Sequence, residues 1–330
     1  MPHLRRVLPA RFTYPSEWYI MLPAHKRSVR GICLLPFRQL RLEDKELLAR
    51  YTKGIEYENS ELSFANLFIW RQGWGIEICE HEGVLYFSYV HPDNGCTGQM
   101  QPVVPAGMPL RPAVETAMRD LAERECGLDI MGVNDEFLAR FRAEGTQGYA
   151  VEEDRDLMEY VYRTEDLINL SGKKYHSKRN HLNKFLAEYA YTWQDLTPDF
   201  LTQCLSICAQ WMSEREGGSV DRNELCAIRE AITHMNELGL IGALVCVDGR
   251  PRAFTVGERF KPDMAIIHLE KADPDVPGIY AFINREFLSR NFSDMEFVNR
   301  EEDMGLPGLR QAKLSYNPAR LVNKYRIRKA

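Results

Sequence analysis

No apolar run in this 330-residue chain approaches the roughly 20 residues that a helix needs to cross a bilayer. Leu240 to Val247 is among the longest, and it reads as a strand. The eight cysteines sit at irregular spacings, with no CxxC pair and no Cys/His zinc pattern. Cys204 and Cys208 lie one helical turn apart and Cys226 falls in a helical pattern, so buried thiols in a reducing cytoplasm are the expectation. His176 and His181 are five apart in a strongly cationic stretch that would repel a dication, and no metal is expected. No Ser/His/Asp or Cys/His nucleophile arrangement emerges. The N-terminal stretch lacks the apolar core and small-residue cleavage site of a secretory signal.

What is present is a globular composition, 45% hydrophobic and 27% charged, long enough for two ordinary cores. The net charge of −5 is unevenly spread. Residues 1–40 hold seven cations against Glu17 alone, and residues 320–330 hold five cations and no acid. Both ends are therefore basic around an acidic body. Residues 1–33 are expected to be a poorly ordered basic leader, or an upstream extension of the true start.

Helix and strand signals alternate. Glu43 to Thr52 reads as a helix. Ile76 to Val90 reads as a hairpin with Gly83 in the turn, followed by a Pro/Gly-rich loop from Pro92 to Pro109. A periodic helix from Pro112 to Cys126 leads to a strand running from Ile130 into the acids at Asp135 and Glu136. The order recurs later. Ile241–Val247 and Ala253–Glu258 form a hairpin, Met264–Ala272 a strand, Ile279–Arg290 a helix, and Met295–Asn299 a strand running into Arg300, Glu301, Glu302 and Asp303. This repetition predicts an internal duplication, with units at 34–160 and 161–330 and mixed, mostly antiparallel sheets. Between the hairpins, Thr197-Pro198 opens one helix and Asp221 with Glu224 opens another as a capping box, with Leu225, Ile228, Ile232 and Met235 on its buried face. Trp211 reads as a core aromatic and Glu214 to Val220 as a loop near a site.

Two stretches concentrate chemistry. Lys173 to Lys184 carries five cations and two histidines in twelve residues. A fold gains little by gathering like charges unless an anion sits opposite. A helix from about Lys174 would align Lys174, Lys178 and His181 on one face, and Ser171-Gly172 would leave amides free at its start. The second stretch, Val298 to Tyr316, leaves a strand directly into three acids and two glycines. Loops at strand ends commonly carry function, and two carboxylates of unequal burial divide into a base and an electrostatic partner.

These stretches, with Ser60 to Trp70, Ala253 to Glu258, His268 to Ala272, and Gly278-Ile279-Tyr280 with Ile283-Asn284, resemble the family related to the C-terminal domain of phosphatidylglycerol lysyltransferase. The resemblance covers nearly all of residues 34–330. It implies an α/β fold of two fused GNAT-like units and an acyl-transfer activity. The donor is then an aminoacyl-tRNA, with acyl-CoA as the alternative and a non-catalytic binding protein of the same fold as a third reading. No tightly bound cofactor is implied. Partners would be tRNA and a small-molecule, peptide or lipid-headgroup acceptor, with peripheral membrane contact in the last case.

In GNAT-type units, amides at a helix start bind the CoA pyrophosphate. Here that place is Asp273-Pro274-Asp275-Val276-Pro277-Gly278, where prolines remove donors and aspartates repel phosphate. Acetyl-CoA is thereby disfavoured. Glu270, Glu301 and Glu302 are the candidate acid/base groups, with Arg300, Lys271 and Lys313 as electrostatic partners. His268 is expected to share a strand face with Glu270. Anion or substrate binding is expected of Lys173, Lys174, His176, Lys178, Arg179, His181, Lys271, Gly278, Tyr280, Lys313 and Tyr316, helped by the basic C-terminal end. Glu61 and Asn66 are expected to line a cleft between the halves, while Phe64, Leu67 and Trp70 pack.

Overall fold

Alternation along the strands sets two sheets, each covered on both faces. In the first half Ile78, Leu85, Phe87 and Tyr89 face one core, while Cys79, Val84 and Tyr86 face another. The computed structural model describes residues 35–91, 95–124, 129–213 and 222–330, with the side chains of 210–213 excepted. The expected leader, the Glu214–Val220 loop, the Asp221 cap and the side chain of Trp211 lie outside the described residues.

The chain begins with β1 (Arg38–Gln39), α1 (Asp44–Thr52), α2 (Phe64–Trp70), β2 (Glu77–His81), β3 (Val84–Val90) and β4 (Thr97–Met100). It continues through α3 (Arg111–Glu123), β5 (Ile130–Val133), α4 (Asp135–Glu144), β6 (Tyr149–Glu153) and β7 (Glu159–Arg163). Next come α5 (Thr164–Asn169), α6 (His176–Glu188), β8 (Tyr191–Asp195), α7 (Leu201–Ser213), α8 (Arg222–Thr233) and α9 (Met235–Leu238). The last part is β9 (Ile241–Val247), β10 (Arg250–Lys261), β11 (Met264–Ala272), α10 (Ile279–Asn291), β12 (Phe297–Glu302), α11 (Pro307–Leu314), β13 (Arg320–Val322) and β14 (Tyr325–Lys329).

One sheet has the order β1-β2-β3-β4-β5-β14-β6 and the other β13-β7-β12-β11-β10-β9-β8. Each contains one parallel pair, β4 with β5 and β11 with β12, and the remaining pairs are antiparallel. This is the expected mixed α/β architecture in two similar halves. One detail lay beyond any segment-by-segment reading. The strand beside β5 is β14, from the chain's end, and the strand beside β12 is β7, from its middle. The halves thus exchange a strand, and the first sheet contains residues on both sides of the second.

Three cores alternate with the sheets. Helices α3 and α4 cover the outer face of the first sheet, and α5, α6 and α10 cover the outer face of the second. Between the sheets, α1, α2, α7 and α8 share one core with residues of both, from Leu85 and Phe87 to Leu244, Phe254 and Leu269. Ile228, Ile232 and Met235 are buried there as expected, Leu225 packs against that core only half-buried, and β11 spans the residues read as a strand.

Two local readings are corrected. β4 lies inside the stretch read as a loop, because its four residues, Thr-Gly-Gln-Met, carry no apolar alternation. The strand β5 stops at Val133, and α4 starts where acids were expected to end a strand. Asn134 Oδ1 accepts the Phe137 N–H at 2.9 Å, and that side-chain cap begins the helix.

Candidate functional site

The strands β11 and β12 pair from Met264/Phe297 to Ile266/Asn299 and then part. Beyond the parting lie His268 and Glu270 on one strand and Arg300, Glu301 and Glu302 on the other. A register shift against β7 falls between Asn299 and Glu302, and Glu301 sits at φ +55°. That left-handed conformation costs a side-chain-bearing residue about 1–2 kcal/mol and persists where neighbours enforce it. Asn299 is the enforcer. Its Oδ1 accepts the Glu301 N–H at 2.8 Å, while its Nδ2 donates to the Glu58 carbonyl at 3.0 Å and to the Glu159 carboxylate.

His268 and Glu270 do not share a face, contrary to the expectation from strand alternation. The β10–β11 register jumps from Val256/Leu269 to Gly257/Ile267, so His268 is the extra residue of a bulge. Leu269 accordingly joins the central core, whereas Ile267 and Ala272 face the outer one. His268 turns toward the first half and sits between two carboxylates, with Nδ1 2.8 Å from Glu301 Oε1 and Nε2 3.1 Å from Glu258 Oε1. Ser63 Oγ donates to Glu258, and Asn66 Nδ2 donates to Glu301 at 2.9 Å. Burial alone would lower the imidazole pKa, but the two carboxylates outweigh it and raise it to about 10. Burial works upward on Glu258, and the His268 contact more than offsets it, leaving the carboxyl below its usual range.

Glu270 faces α10 instead. It forms a 2.9 Å ion pair with Arg300 Nη2 and accepts from Asn284 Nδ2 at 3.3 Å. The guanidinium carbon of Arg300 lies 5.8 Å from the Tyr162 ring centroid and 5.1 Å from that of Tyr316. Lys178 Nζ lies 4.0 Å from the same Tyr316 centroid. Two buried polar atoms here lack a partner, Arg300 Nη1 and Asn284 Oδ1. The candidate carboxylates therefore divide between two sides of one gap.

Glu302 has no hydrogen bond to its carboxyl among the described residues. Burial, with the Glu301 and Glu159 carboxylates nearby, pushes it well above the usual carboxylate range. Burial likewise pushes Lys313 down, helped by Arg300 and opposed by Glu302. Lys313 Nζ donates to the carbonyls of Arg300 and, at 3.0 Å, Glu301, so it fixes the β12 backbone. Beneath them, fully buried Lys324 joins Glu61 and Glu159, the latter at 2.7 Å. Burial raises the Glu61 carboxyl, and its pairing with Lys324 does not fully restore it. Glu61 thus lies where the halves meet, and Asn66 reaches across them directly.

Four of the five C-terminal cations are engaged in internal ion pairs, whereas they were expected to face an RNA; Lys329 is exposed. Arg320 pairs with Glu58, Lys324 with Glu61 and Glu159, Arg326 with Asp129 and Asp154, and Arg328 with Asp129 and Glu152. These cations follow the returning strand β14 and meet acids that sequence distance concealed.

The 173–184 run is also less uniform than a single helix face. Helix α6 begins at His176, after a 3-10 turn over Lys173–Tyr175. Lys173 is exposed, Lys174 lies 3.2 Å from Asp166, and His176 contacts Asn180. Arg179 donates to the carbonyls of Leu170 and, at 2.7 Å, Gly172, closing the end of α5. His181 is exposed, and its carbonyl fills the space a side chain at Gly278 would need. Lys271 pairs with Glu224 at 2.8 Å, and Tyr280 is exposed. Lys178 alone of the run turns over Tyr316.

Of the two helix starts that follow the first strand of a parallel pair, one is capped by a carboxylate and the other is preceded by an internally bonded turn. At α3, the Glu144 carboxylate accepts the Leu110 and Arg111 N–H groups at 2.9 and 2.8 Å. Before α10, the N–H groups of Asp275, Val276 and Ile279 are bonded to Asp273 Oδ1, the Asp273 carbonyl and the Val276 carbonyl.

Sequence reasoning missed Ser63, Asn284, Asn299, Glu159, Glu258 and Lys324 as members of this constellation. Glu159, Glu258 and Asn299 stand as polar residues inside apolar strands, a signal that was legible. Lys324, in a basic tail, gave none.

Comparison with known proteins follows this geometry. The description "Phosphatidylglycerol lysyltransferase, C-terminal" matches residues 52–328. A solved conserved protein of unknown function from Bacteroides thetaiotaomicron is 32% identical, with a TM-score of 0.77 over 89% of this chain and 99% of that one. The structure of L-PGS from Bacillus licheniformis is 15% identical, with a TM-score of 0.60 over 87% and 92%. A tandem GNAT protein from the clavulanic acid biosynthesis pathway is 11% identical, with a TM-score of 0.51 over 89% and 98%. An uncharacterised protein of Mycoplasmoides gallisepticum is 27% identical over 176 residues, 51% of this chain and 55% of that relative, so the chain spans about half of that curated relative's length.

Proposed function

Since the chain belongs to the phosphatidylglycerol lysyltransferase C-terminal family, an acyltransferase family with the tandem GNAT-like fold, we propose that its acyl donor is an aminoacyl-tRNA and that transfer runs where β11 and β12 part. The observation that carries the choice of donor is the turn before α10, where Pro274 and Pro277 have no N–H, Asp273 and Asp275 bring negative charge, and the Asp275, Val276 and Ile279 N–H groups are bonded internally. A CoA pyrophosphate needs free amides at such a place. In the first half, Glu144 takes the Leu110 and Arg111 amides at α3, and in the second the Asp273 turn leaves few donors and adds two carboxylates before α10. A donor held by other contacts, as a charged tRNA is, meets no such obstacle.

The chemistry follows from the unequal environments of two adjacent carboxylates. In the transfer, an amine or hydroxyl of the acceptor attacks the ester carbonyl of the aminoacyl group. A new amide or ester bond forms, and the bond to the terminal ribose oxygen breaks. Glu302, with its carboxyl unpaired and its pKa raised to about 8, takes the acceptor's proton in its ionised form and returns it to the leaving ribose oxygen. Glu301, gripped by His268 and Asn66, orients positive charge on the acceptor or the aminoacyl group. Lys313 holds the intervening backbone so that the two carboxylates diverge. Among the described residues no helix is long and apolar enough to cross a membrane.

Replacing Glu302 with Gln tests the assignment. Loss of a positioned acid/base group costs about 10²–10⁴-fold in rate. Label transfer from charged tRNA into a cell-extract acceptor pool is expected to fall by that factor while the folded protein, judged by its thermal midpoint, is retained. Transfer by Glu302→Gln at the wild-type rate would remove Glu302 from the chemistry.

A further inference from the structure

On the α6 side of the gap, two cations meet one aromatic ring without enough negative charge to balance them. Arg300 has a single carboxylate, Glu270, engaged through Nη2, and its Nη1 is buried without a partner. Lys178 is half-buried and has no acidic partner among the described residues; its ammonium lies over the Tyr316 ring. Burial and the neighbouring Arg300 both push the Lys178 pKa down. A ring face repays such a cation by about 0.5–2 kcal/mol, whereas a buried charged donor left unpaired costs more than that. The arrangement is therefore incomplete as it stands.

Its neighbours in the run are complete or solvated. Lys174 has Asp166, Arg179 closes α5, and Lys184 is exposed. Lys178, Arg300 and Glu270 together leave one unit of positive charge. One singly charged group would neutralise it, and a guanidinium with an ammonium supplies donors to two oxygens of such a group.

We propose that Lys178 Nζ and Arg300 Nη1 form a seat for an oxyanion carried by the substrate, a phosphate or a carboxylate, with the Tyr316 ring as its wall. The seat deepens the donor reading above, on which it rests only for what carries the anion. Lys178 forms the half-exposed mouth and Arg300 the floor. The cationic run so contributes one ligand to the site and leaves its other charges to solvent or to packing.

The test uses the full chain at low ionic strength, titrated with inorganic phosphate and, separately, acetate by calorimetry. The expected result is saturable phosphate binding that Lys178→Gln weakens at least about tenfold, equivalent to about 1.4 kcal/mol. Lys178→Arg recovers most of it, and Lys184→Gln changes it by less than about twofold. Among the described residues Lys178→Gln removes no ion pair or hydrogen bond and only the Tyr316 ring contact, so its thermal midpoint should stay close to the wild type, and a cooperative unfolding transition separates lost binding from misfolding. Competition by acetate assigns the seat to a carboxylate, and its absence assigns it to a phosphate. Saturable binding of neither anion by the wild type, or equal weakening by Lys178→Gln and Lys184→Gln, overturns the proposal. Anion binding without any transfer from charged tRNA would instead count against the donor reading alone.

Discussion

His268 shows how strongly single residues are constrained at the gap. A neutral imidazole between Glu258 and Glu301 can donate to only one of them, so the protonated form is the one that satisfies both contacts. Its pKa rises from 6.5 to about 10 in the folded chain. The stability this contributes is fully present below about pH 6.5 and fades as pH rises through about 10. Glu258 works in the opposite direction, its contribution present above the ordinary carboxylate pKa and lost as pH falls below it. His268→Gln leaves two buried carboxylates facing each other, a defect of about 3–5 kcal/mol. Denaturant titration should therefore show the largest gap between wild type and His268→Gln near pH 6, shrinking toward pH 10. A gap that is constant over this range would mean that His268 is not held protonated.

At the scale of elements, the site depends on two close approaches, of β12 to β7 and of α6 to α10. Gly278 begins α10 at φ +88°, and an added Cβ would lie 2.1 Å from the His181 carbonyl oxygen of α6. Gly172 has a similar φ of +82° but open space around it. Gly172→Ala should cost only the left-handed penalty of about 1–2 kcal/mol. Gly278→Ala must cost clearly more, because backbone has to move. Thermal or denaturant unfolding of the two variants checks this, and equal losses would show that α6 does not pack against α10 this tightly. Elements such as β9, β11 and α10 were legible because long apolar stretches with clear turn punctuation specify them. β4 was not, since four residues without alternation become a strand only when neighbours pair with them. Nor was the bulge at His268 legible, because register is a property of two strands together, and it decided which carboxylates His268 meets.

At the scale of the whole molecule, the two halves are interlocked rather than strung in series. β14 completes the first sheet after the chain has built the second, and Lys324, just before it, is buried against Glu61 and Glu159 from the earlier part. The duplicated order of elements was readable from turn residues and periodicity. The strand exchange was not, because both partners of an exchange carry the same local pattern. The same return explains why the basic C-terminal end looks free in sequence, yet four of its five cations are paired in the fold. The first half keeps its parallel pair yet packs the gap with its own polar groups: Asn134 Nδ2 donates to Asn59 Oδ1 at 3.0 Å, and Glu61 lies against Gly132. The second half keeps carboxylates with unpaired capacity at the same place, and the chemistry is assigned there. The most direct measurement compares donors: purified protein is incubated with a cell-extract acceptor pool and either labelled lysyl- or alanyl-tRNA or labelled acetyl-CoA. Label should leave a charged tRNA for the acceptor pool, by a route that Glu302→Gln slows at least about a hundredfold, while acetyl-CoA gives none; transfer from acetyl-CoA and not from either tRNA would contradict the account.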